Sequence, residues 1–321
     1  MAATDQLSSA APSSNWLANQ PYLLLSLTAL FWAGNAVIGR AVAGHIPPVT
    51  LAFIRWSGVF LIVLPLSWRH LVRDWPVLRK NLGIMALIAV AGIGAFNTLQ
   101  YIALERTQAL NALLLQSSGP LFVAIWSLML LGIPLTLKQA LGLSVSLLGV
   151  LAILLKGDVG ALAAIKFNDG DLLFILALAI FGFYSVMSLK RPDIHSMSFL
   201  AFTFGCGAFV QIPLVIWEMK VRPLMQIDLP NMLALLYVMV FPSTLAYLFF
   251  NRGVQLIGAN RAAPVFHLIP VFGSVMAIVF LGEQLHVFHL VGYALVLTGV
   301  FIAARAPKAP VAEGEQAAPP S

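Results

Sequence analysis

Residues 109–132, ALNALLLQSSGPLFVAIWSLMLLG, align without a gap with residues 259–282, ANRAAPVFHLIPVFGSVMAIVFLG, at an offset of 150 residues. Identical residues at that offset include Ala109 and Ala259, Pro120 and Pro270, Leu131-Gly132 and Leu281-Gly282, Gly142 and Gly292, and Gly149 and Gly299. We interpret the chain as a tandem duplication. Because an odd number of apolar segments in each half would turn the second copy over in a bilayer, the pattern predicts inverted repeats, which are typical of transporters.

The composition places the chain in a membrane. Of its 321 residues, 60% are hydrophobic and 9% are charged, and the mean hydropathy is +0.93, which is far more apolar than a soluble domain. The Lys and Arg residues lie in short clusters between apolar runs, so the net charge of +6 indicates topology and not nucleic-acid binding. The single cysteine, Cys206, excludes an intramolecular disulfide and a cysteine-rich metal site.

Ten apolar runs are long enough to cross about 30 Å of hydrocarbon as helices. They predict an all-α membrane protein with ten transmembrane helices, arranged as two inverted five-helix repeats around a central cavity. The approximate spans are 21–43, 48–68, 81–104, 107–132, 136–155, 170–189, 196–218, 230–251, 258–281 and 286–305. Turn signals such as Arg73-Asp74-Trp75-Pro76 and Arg191-Pro192-Asp193 separate several of these runs.

The same runs divide the chain into a first repeat at 21–155, a linker at 156–169 and a second repeat at 170–305. Residues 1–20 and 306–321 are polar or rich in Ala and Pro, and we expect both to be disordered cytoplasmic tails. With the N-terminus in the cytoplasm, eleven Lys or Arg residues fall on the cytoplasmic side, six fall on the other side, and Arg55 lies within a span. The positive-inside bias therefore predicts that both termini are cytoplasmic.

A more specific pattern runs through both halves. It comprises Phe31-Trp32-Ala33-Gly34-Asn35, Asn97, Leu99, Tyr101, Ala103, Leu104, Ala109, Pro120 and Leu131-Gly132, and then Leu281-Gly282-Glu283-Gln284-Leu285, Gly292 and Gly299. This ensemble resembles the EamA family of the drug/metabolite transporter superfamily, and within it the bacterial aromatic and hydrophobic amino-acid exporters of the YddG type. The first half departs from the pattern, since Ile133 and Pro134 stand where the second half has Glu283 and Gln284.

The resemblance implies a cavity lined mainly by predicted helices 1, 3, 4, 6, 8 and 9, and export of small metabolites across the bacterial inner membrane. Most polar residues within the spans fall on those helices. We expect the substrate to be bound by Trp32, Asn35, Asn97, Tyr101, Gln116, Tyr184, Ser243, Tyr247 and His267. Each has a structural alternative, because aromatic side chains also fill bundle interiors and a lone histidine is commonly a hydrogen-bonded structural residue.

Arg55 has two interpretations. It could meet a substrate carboxylate, but predicted helix 2 is not an expected cavity helix, so pairing with backbone carbonyls or polar side chains is favoured. Two pairs of helix-weakening residues at the repeat offset predict hinges: Gly92 with Pro242, and Pro120 with Pro270. Predicted helices 5 and 10 are almost entirely apolar, which favours lipid contact or a homodimer seam, and their glycines lie on one helix face and favour close helix packing.

The residue types favour a carrier over other functions. No Asp or Glu lies deep within a predicted span, so we expect facilitated diffusion or exchange, with proton-coupled antiport as an alternative. Hydroxyls, amides and aromatic rings favour aromatic or other apolar amino acids, with neutral or quaternary drug-like compounds as the second choice. The sequence has no His-Glu-x-x-His or Gly-x-Ser-x-Gly motif and no continuous polar stripe, which disfavours an enzyme and a channel. We expect no cofactor and no metal ion.

Overall fold

The computed structural model describes residues 17–133, 136–156, 168–257 and 266–304, and all regular structure in those ranges is helical. The helices, labelled in chain order, are α1 Pro21–Ala41, α2 Pro48–Lys80, α3 Leu82–Arg106, α4 Ala109–Gln116 with Gly119–Leu131, α5 Leu137–Leu154, α6 Asp169–Met187, α7 Ser196–Val221, α8 Leu229–Ile257, α9 Leu268–Leu281 and α10 Val287–Ala304. The two parts of α4 are bent by 44° relative to each other.

Seven of these helices are long and apolar enough to cross a membrane, or eight if the bent α4 is one span. The helix α9 and the apolar part of α10 are shorter than the others. The structure therefore confirms an all-helical protein whose helices are suited to a membrane. The exact number of ten spans stays a prediction.

Capping groups set where several helices begin and end. Pro21 and Pro48 occupy the first helical positions of α1 and α2, where a missing N–H breaks no helical hydrogen bond. Thr136 and Gln139 form a reciprocal capping box at the start of α5. The repeat-paired glycines Gly132 and Gly282 have φ values of 64° and 66°, a left-handed conformation that ends α4 and α9 in the same way.

The helix α2 is longer than the sequence indicates. The predicted turn at Arg73-Asp74-Trp75-Pro76 is wrong, because the helix continues to Lys80 with Pro65 and Pro76 inside it. The extension is fixed from outside: Asp74 Oδ2 accepts hydrogen bonds from the backbone N–H of His195 at 2.8 Å and from Ser198 Oγ at 2.7 Å. These bonds cap the start of α7 and fix the extended end of α2 against it.

The reciprocal contact occurs at the opposite ends of the same two helices. Glu218, near the end of α7, accepts hydrogen bonds from the backbone N–H of Val49 at 3.1 Å and of Thr50 at 2.7 Å, at the start of α2. The helices α2 and α7 are therefore antiparallel, and a carboxylate near the end of each caps the start of the other.

The helices α5 and α10 pack along each other in the same antiparallel sense. Gly149 lies against Gly292, and Gly142 lies against Gly299, so that residue numbers rise along one helix and fall along the other. The glycine faces are thus covered within the chain, and the homodimer through these two helices stays a prediction that would have to use their other faces. Small residues here permit backbone-to-backbone contact between the two halves.

The predicted tails and linker fall mostly outside the described residues. The part of the N-terminal tail that is described, Leu17–Asn19, forms a short 3₁₀ turn. Arg252 Nε donates a hydrogen bond to the carbonyl oxygen of Ala18 at 3.0 Å, which attaches this turn to α8. The predicted disordered segment is thus wrong for these three residues.

We predict that Gly149→Ala destabilises the protein by about 1–3 kcal/mol, because overpacking a closed contact forces the backbones apart. A Cβ at this position would lie 2.5 Å from the carbonyl oxygen of Gly292. Thermal unfolding of the detergent-solubilised protein measures the effect. The matched control is Gly83→Ala on α3, whose Cβ would meet nothing within 4 Å, and equal stability of the two variants would contradict the packing argument.

Candidate functional site

A guanidinium group lies among the polar side chains that the sequence analysis selected. Arg55, on α2, is only 4% exposed. Its Nη1 donates hydrogen bonds to Asn35 Oδ1 at 3.0 Å, to Tyr101 Oη at 2.9 Å and to Asn97 Oδ1 at 3.3 Å. Its Nε donates to Ser243 Oγ at 2.6 Å. These five residues, here called the Arg55 cluster, bring together α1, α2, α3 and α8.

Widened helical turns at repeat-equivalent positions orient two of the acceptors. The helix α3 contains a π-helical segment at Val90–Ala95, and α8 contains one at Phe241–Leu245. Such turns leave backbone carbonyls without a regular helical partner. Asn97 Nδ2 donates to the carbonyl oxygen of Gly92 at 2.8 Å, and Ser243 Oγ donates to that of Val238 at 2.7 Å. With its donor used in this way, each side chain presents an oxygen acceptor to Arg55.

The third acceptor group is a hydrogen-bonded pair. Tyr101 Oη donates to Asn35 Oδ1 at 2.7 Å, and both side chains are buried. Because the tyrosine proton is used in this bond, its oxygen accepts from Arg55. The polar groups around the guanidinium are therefore arranged as acceptors, which is the complement that an arginine needs.

The charge of Arg55 has no acidic partner among the described residues, where the salt bridges are Arg73 with Asp74 and Arg222 with Glu105. Within the same ranges, no residue accepts a hydrogen bond from its Nη2. The guanidinium carbon lies 4.5 Å from the centre of the Trp56 ring, which supplies a favourable cation–π contact. A buried cation whose charge is not balanced is costly in a low-dielectric interior, so an anionic group that reached Nη2 would be bound favourably.

Aromatic rings extend from the Arg55 cluster towards α9. The Trp56 and Phe204 ring centres are 4.9 Å apart, and Phe204 and Tyr247 are 6.0 Å apart. Trp32 lies 5.9 Å from Tyr247 and 5.5 Å from Phe266, on which it stacks. Trp32 Nε1 also donates to the carbonyl oxygen of Pro242 at 3.1 Å, which fixes the indole against the π-helical segment of α8. We call these five rings the aromatic row.

Tyr184 and Gly92 meet where α6 packs on α3. A Cβ at Gly92 would overlap the Tyr184 ring, so the glycine is needed for this close contact. Gly92 and Pro242 both lie inside the π-helical segments, at the same offset that pairs the two repeats. Both proposed hinge residues thus lie in helical turns that are already irregular.

Gln116 and His267 lie at helix breaks, apart from the Arg55 cluster. Gln116 ends the first part of α4, and its Oε1 is buried without a hydrogen-bond partner among the described residues. His267 was placed well inside predicted helix 9, but it is exposed and directly precedes α9. Its carbonyl oxygen accepts a hydrogen bond from Tyr293 Oη at 3.1 Å.

The two paired prolines follow these breaks. Both were expected near the middle of a helix, but each lies in the first turn of a helical segment, Pro120 after Gly119 and Pro270 after Leu268. A proline is tolerated there because the first-turn N–H groups have no helical partner. Pro120 is exposed and Pro270 is buried, so the pair does not have equal surroundings.

The predicted substrate-binding residues leave out four residues of the Arg55 cluster and the aromatic row: Arg55, Trp56, Phe204 and Phe266. Arg55 was noticed as a rare charge within an apolar span, and its predicted pairing with polar side chains agrees with the structure. It was left out because α2 was not expected at the site. Trp56, Phe204 and Phe266 gave no signal, since aromatic residues are frequent in this chain and only the fold selects which of them meet.

The fold and the site define a polytopic membrane transporter. The EamA-like transporter family matches residues 19–155 and 168–305. The chain belongs to that family, whose two copies in this sequence account for the internal duplication.

The relatives are named as transporters and not as enzymes. An uncharacterized transporter, YyaM, of Bacillus subtilis is 27% identical over 88% of this chain and 92% of its own. A probable amino-acid metabolite efflux pump of Salmonella typhimurium is 25% identical over 87% of this chain and 93% of its own. A solved crystal structure with 17% identity covers 88% of this chain and 96% of its own with a TM-score of 0.58, which shows likeness of fold alone.

The hydrogen bonds of the Arg55 cluster should be energetically coupled. We predict that Asn35→Ala destabilises the protein by about 1–3 kcal/mol, because it leaves buried donors of Arg55 and Tyr101 unsatisfied. In an Arg55→Met background the same change should cost at least about 1 kcal/mol less. Thermal unfolding of the four proteins in detergent gives the coupling energy. Asn81→Ala, at an exposed amide, is the control, and strict additivity would show that the cluster is not a unit.

Proposed function

We propose that this transporter exports amino acids with aromatic or other apolar side chains. The observation that carries the proposal is the buried guanidinium of Arg55, which has hydrogen-bonding neighbours but no acidic partner among the described residues. A carboxylate is the complementary ligand, because it can accept two parallel hydrogen bonds from arginine. The efflux role named for the Salmonella typhimurium relative supports the same substrate class.

The aromatic row supports the apolar part of the proposal. A substrate whose carboxylate reached Arg55 would lie beside the Trp56 ring, which is followed by Phe204 at 4.9 Å and then by Tyr247 at a further 6.0 Å. Such rings bind apolar and aromatic groups by burial and offset stacking. Of the other residues expected to bind substrate, Trp32 lies in this row, and Tyr184 lies against the π-helical segment of α3.

The transport cycle that we propose is alternating access by two inverted five-helix repeats. It is supported by the antiparallel pairing of α2 with α7 and of α5 with α10, which is the geometry that an inverted second copy requires. The π-helical segments at Gly92 and Pro242, and the breaks before Pro120 and Pro270, are the proposed hinges. Substrate would move down its own gradient or by exchange, across the inner membrane, with both termini cytoplasmic.

Paired substrates test the role of the carboxylate. In proteoliposomes loaded with unlabelled phenylalanine, labelled phenylalanine should accumulate by counterflow. Phenethylamine, which differs by loss of the carboxylate, should compete at least about tenfold more weakly, because one charged hydrogen-bond pair contributes about 1.5–3 kcal/mol. Stronger competition by the amine would favour efflux of cationic compounds, and the absence of counterflow with any amino acid would refute the proposed substrate class.

A charge-removing substitution tests the residue itself. We predict that Arg55→Met lowers the affinity for phenylalanine by about 10-fold or more, and that Arg55→Lys keeps part of it, since lysine retains the charge but loses the planar fork. The matched control is Arg69→Met, which removes the same charge from an exposed position of α2. Concentration dependence of counterflow measures the effect. An unchanged affinity in Arg55→Met would remove Arg55 from the substrate site.

A further inference from the structure

A hydrogen-bonded chain of buried side chains joins the two repeats at the end of the bundle that carries the linker, here called the linker end. His289 of α10 bonds through Nε2 to Asn111 Oδ1 of α4 at 2.9 Å. Asn111 Nδ2 donates to both carboxylate oxygens of Asp171 on α6, at 3.3 Å each. Thr107 Oγ1 donates to the same carboxylate. All four side chains are at most 4% exposed.

The positions of the protons in this series of hydrogen bonds follow from the bonds that His289 makes. His289 Nδ1 accepts a hydrogen bond from the backbone N–H of His286 at 3.0 Å, so Nδ1 carries no proton. The ring is therefore neutral, and its proton lies on Nε2, which donates to Asn111 Oδ1. The amide Nδ2 of Asn111 then donates towards Asp171 and Thr107, on the side away from His289. A second proton on His289 would have to enter at Nδ1, where it would oppose the His286 N–H.

The repeat counterpart of this cap cannot titrate. His286 and His289 stand 150 residues after Thr136 and Gln139. In the first repeat, the backbone N–H of Thr136 donates to Gln139 Oε1 at 2.8 Å, which is the same bond to the third residue of the following helix. The starts of α5 and α10 thus share one capping geometry, in which the acceptor is a glutamine in α5 and a histidine in α10. The histidine alone also bonds to another helix.

We propose that His289 is a proton-binding site that controls opening of the linker end. Neutral His289 closes the chain from α10 through α4 to α6, and so holds the second repeat against the first. Protonation at Nδ1 breaks the cap and leaves a buried cation. That charge is relieved when the helices separate and water reaches the ring. Acid on the side of the linker end therefore favours the conformation open to that side.

Among the described residues, the other charged and titratable groups at the linker end do not have this arrangement. They are Lys156 after α5, Asp169 and Asp171 on α6, Glu105 and Arg106 at the end of α3, Arg222 after α7, Glu283 after α9, and His286. Glu283 accepts hydrogen bonds from the backbone N–H groups of Ala109 and Leu110, at 2.8 and 2.7 Å. The hydrogen bond to Glu105 raises the pKa of Arg222 above its ordinary value, so Arg222 stays charged. The exposed His286 is the group that a test must separate from His289.

Hydrogen exchange tests this proposal without any substrate, so its outcome is independent of the function proposed above. A histidine that is neutral when buried and titrates at about pH 6.5 when exposed should raise the open population about tenfold between about pH 7.5 and pH 5.5. Amide exchange of residues 109–115 and 286–292, divided by the intrinsic rate at each pH, should rise by that factor. Residues 137–143, behind the glutamine cap, should show no such rise.

The repeat itself supplies the variants. His289→Gln copies Gln139, keeps the cap and should abolish the pH response, whereas His286→Thr copies Thr136 and should keep it. If His289→Gln retains the tenfold rise, or if His286→Thr removes it, the proposal is wrong. Gln139→His is a second test that leaves the linker end intact: because this histidine would be neither buried nor bonded to another helix, exchange of residues 137–143 should not gain the tenfold rise, and a tenfold rise there would count against the proposal.

Discussion

The buried positive charge of Arg55 is the constraint around which the centre of the molecule is organised. A guanidinium in an apolar interior needs acceptors on several sides, and they come from α1, α3 and α8. To supply them, α3 and α8 depart from regular helical geometry at the same repeat position, and Asn97 and Ser243 use their donors on the carbonyls released there. The charge, the irregular turns and the polar side chains form one hydrogen-bonded unit.

Around that unit, the two repeats contact each other in two different ways. At the outside of the bundle the symmetric contacts are rigid: the glycine seam of α5 and α10, and the exchange of carboxylate caps between α2 and α7. At the linker end the contacts are polar and asymmetric, with His289, Asn111 and Asp171 in a chain that has no titratable equivalent at Gln139. At this cap the two copies thus differ in a side chain that can bind a proton.

Much of the site could be predicted from residue type alone. Polar residues within apolar spans are costly unless they have partners, and Asn35, Asn97, Tyr101 and Ser243 were selected for that reason. Residues whose role depends on neighbours could not be found in this way. Gln116 and His267 are polar and well placed along the chain, but helix breaks put them outside the Arg55 cluster. His289 was not among the predicted site residues, because its partner Asn111 is 178 positions away along the chain.

The sequence by itself determined the class, the duplication and the apolar helices, because hydropathy and repeat matches are local properties that need no knowledge of contacts. Tertiary structure decided which polar groups share a partner. It made Arg55 the common donor, turned the glycines of α5 and α10 towards each other, and extended α2 to reach α7. The physical reason is that burial and hydrogen bonding depend on distances between helices, and a linear pattern specifies which face of a helix is polar but not what that face meets.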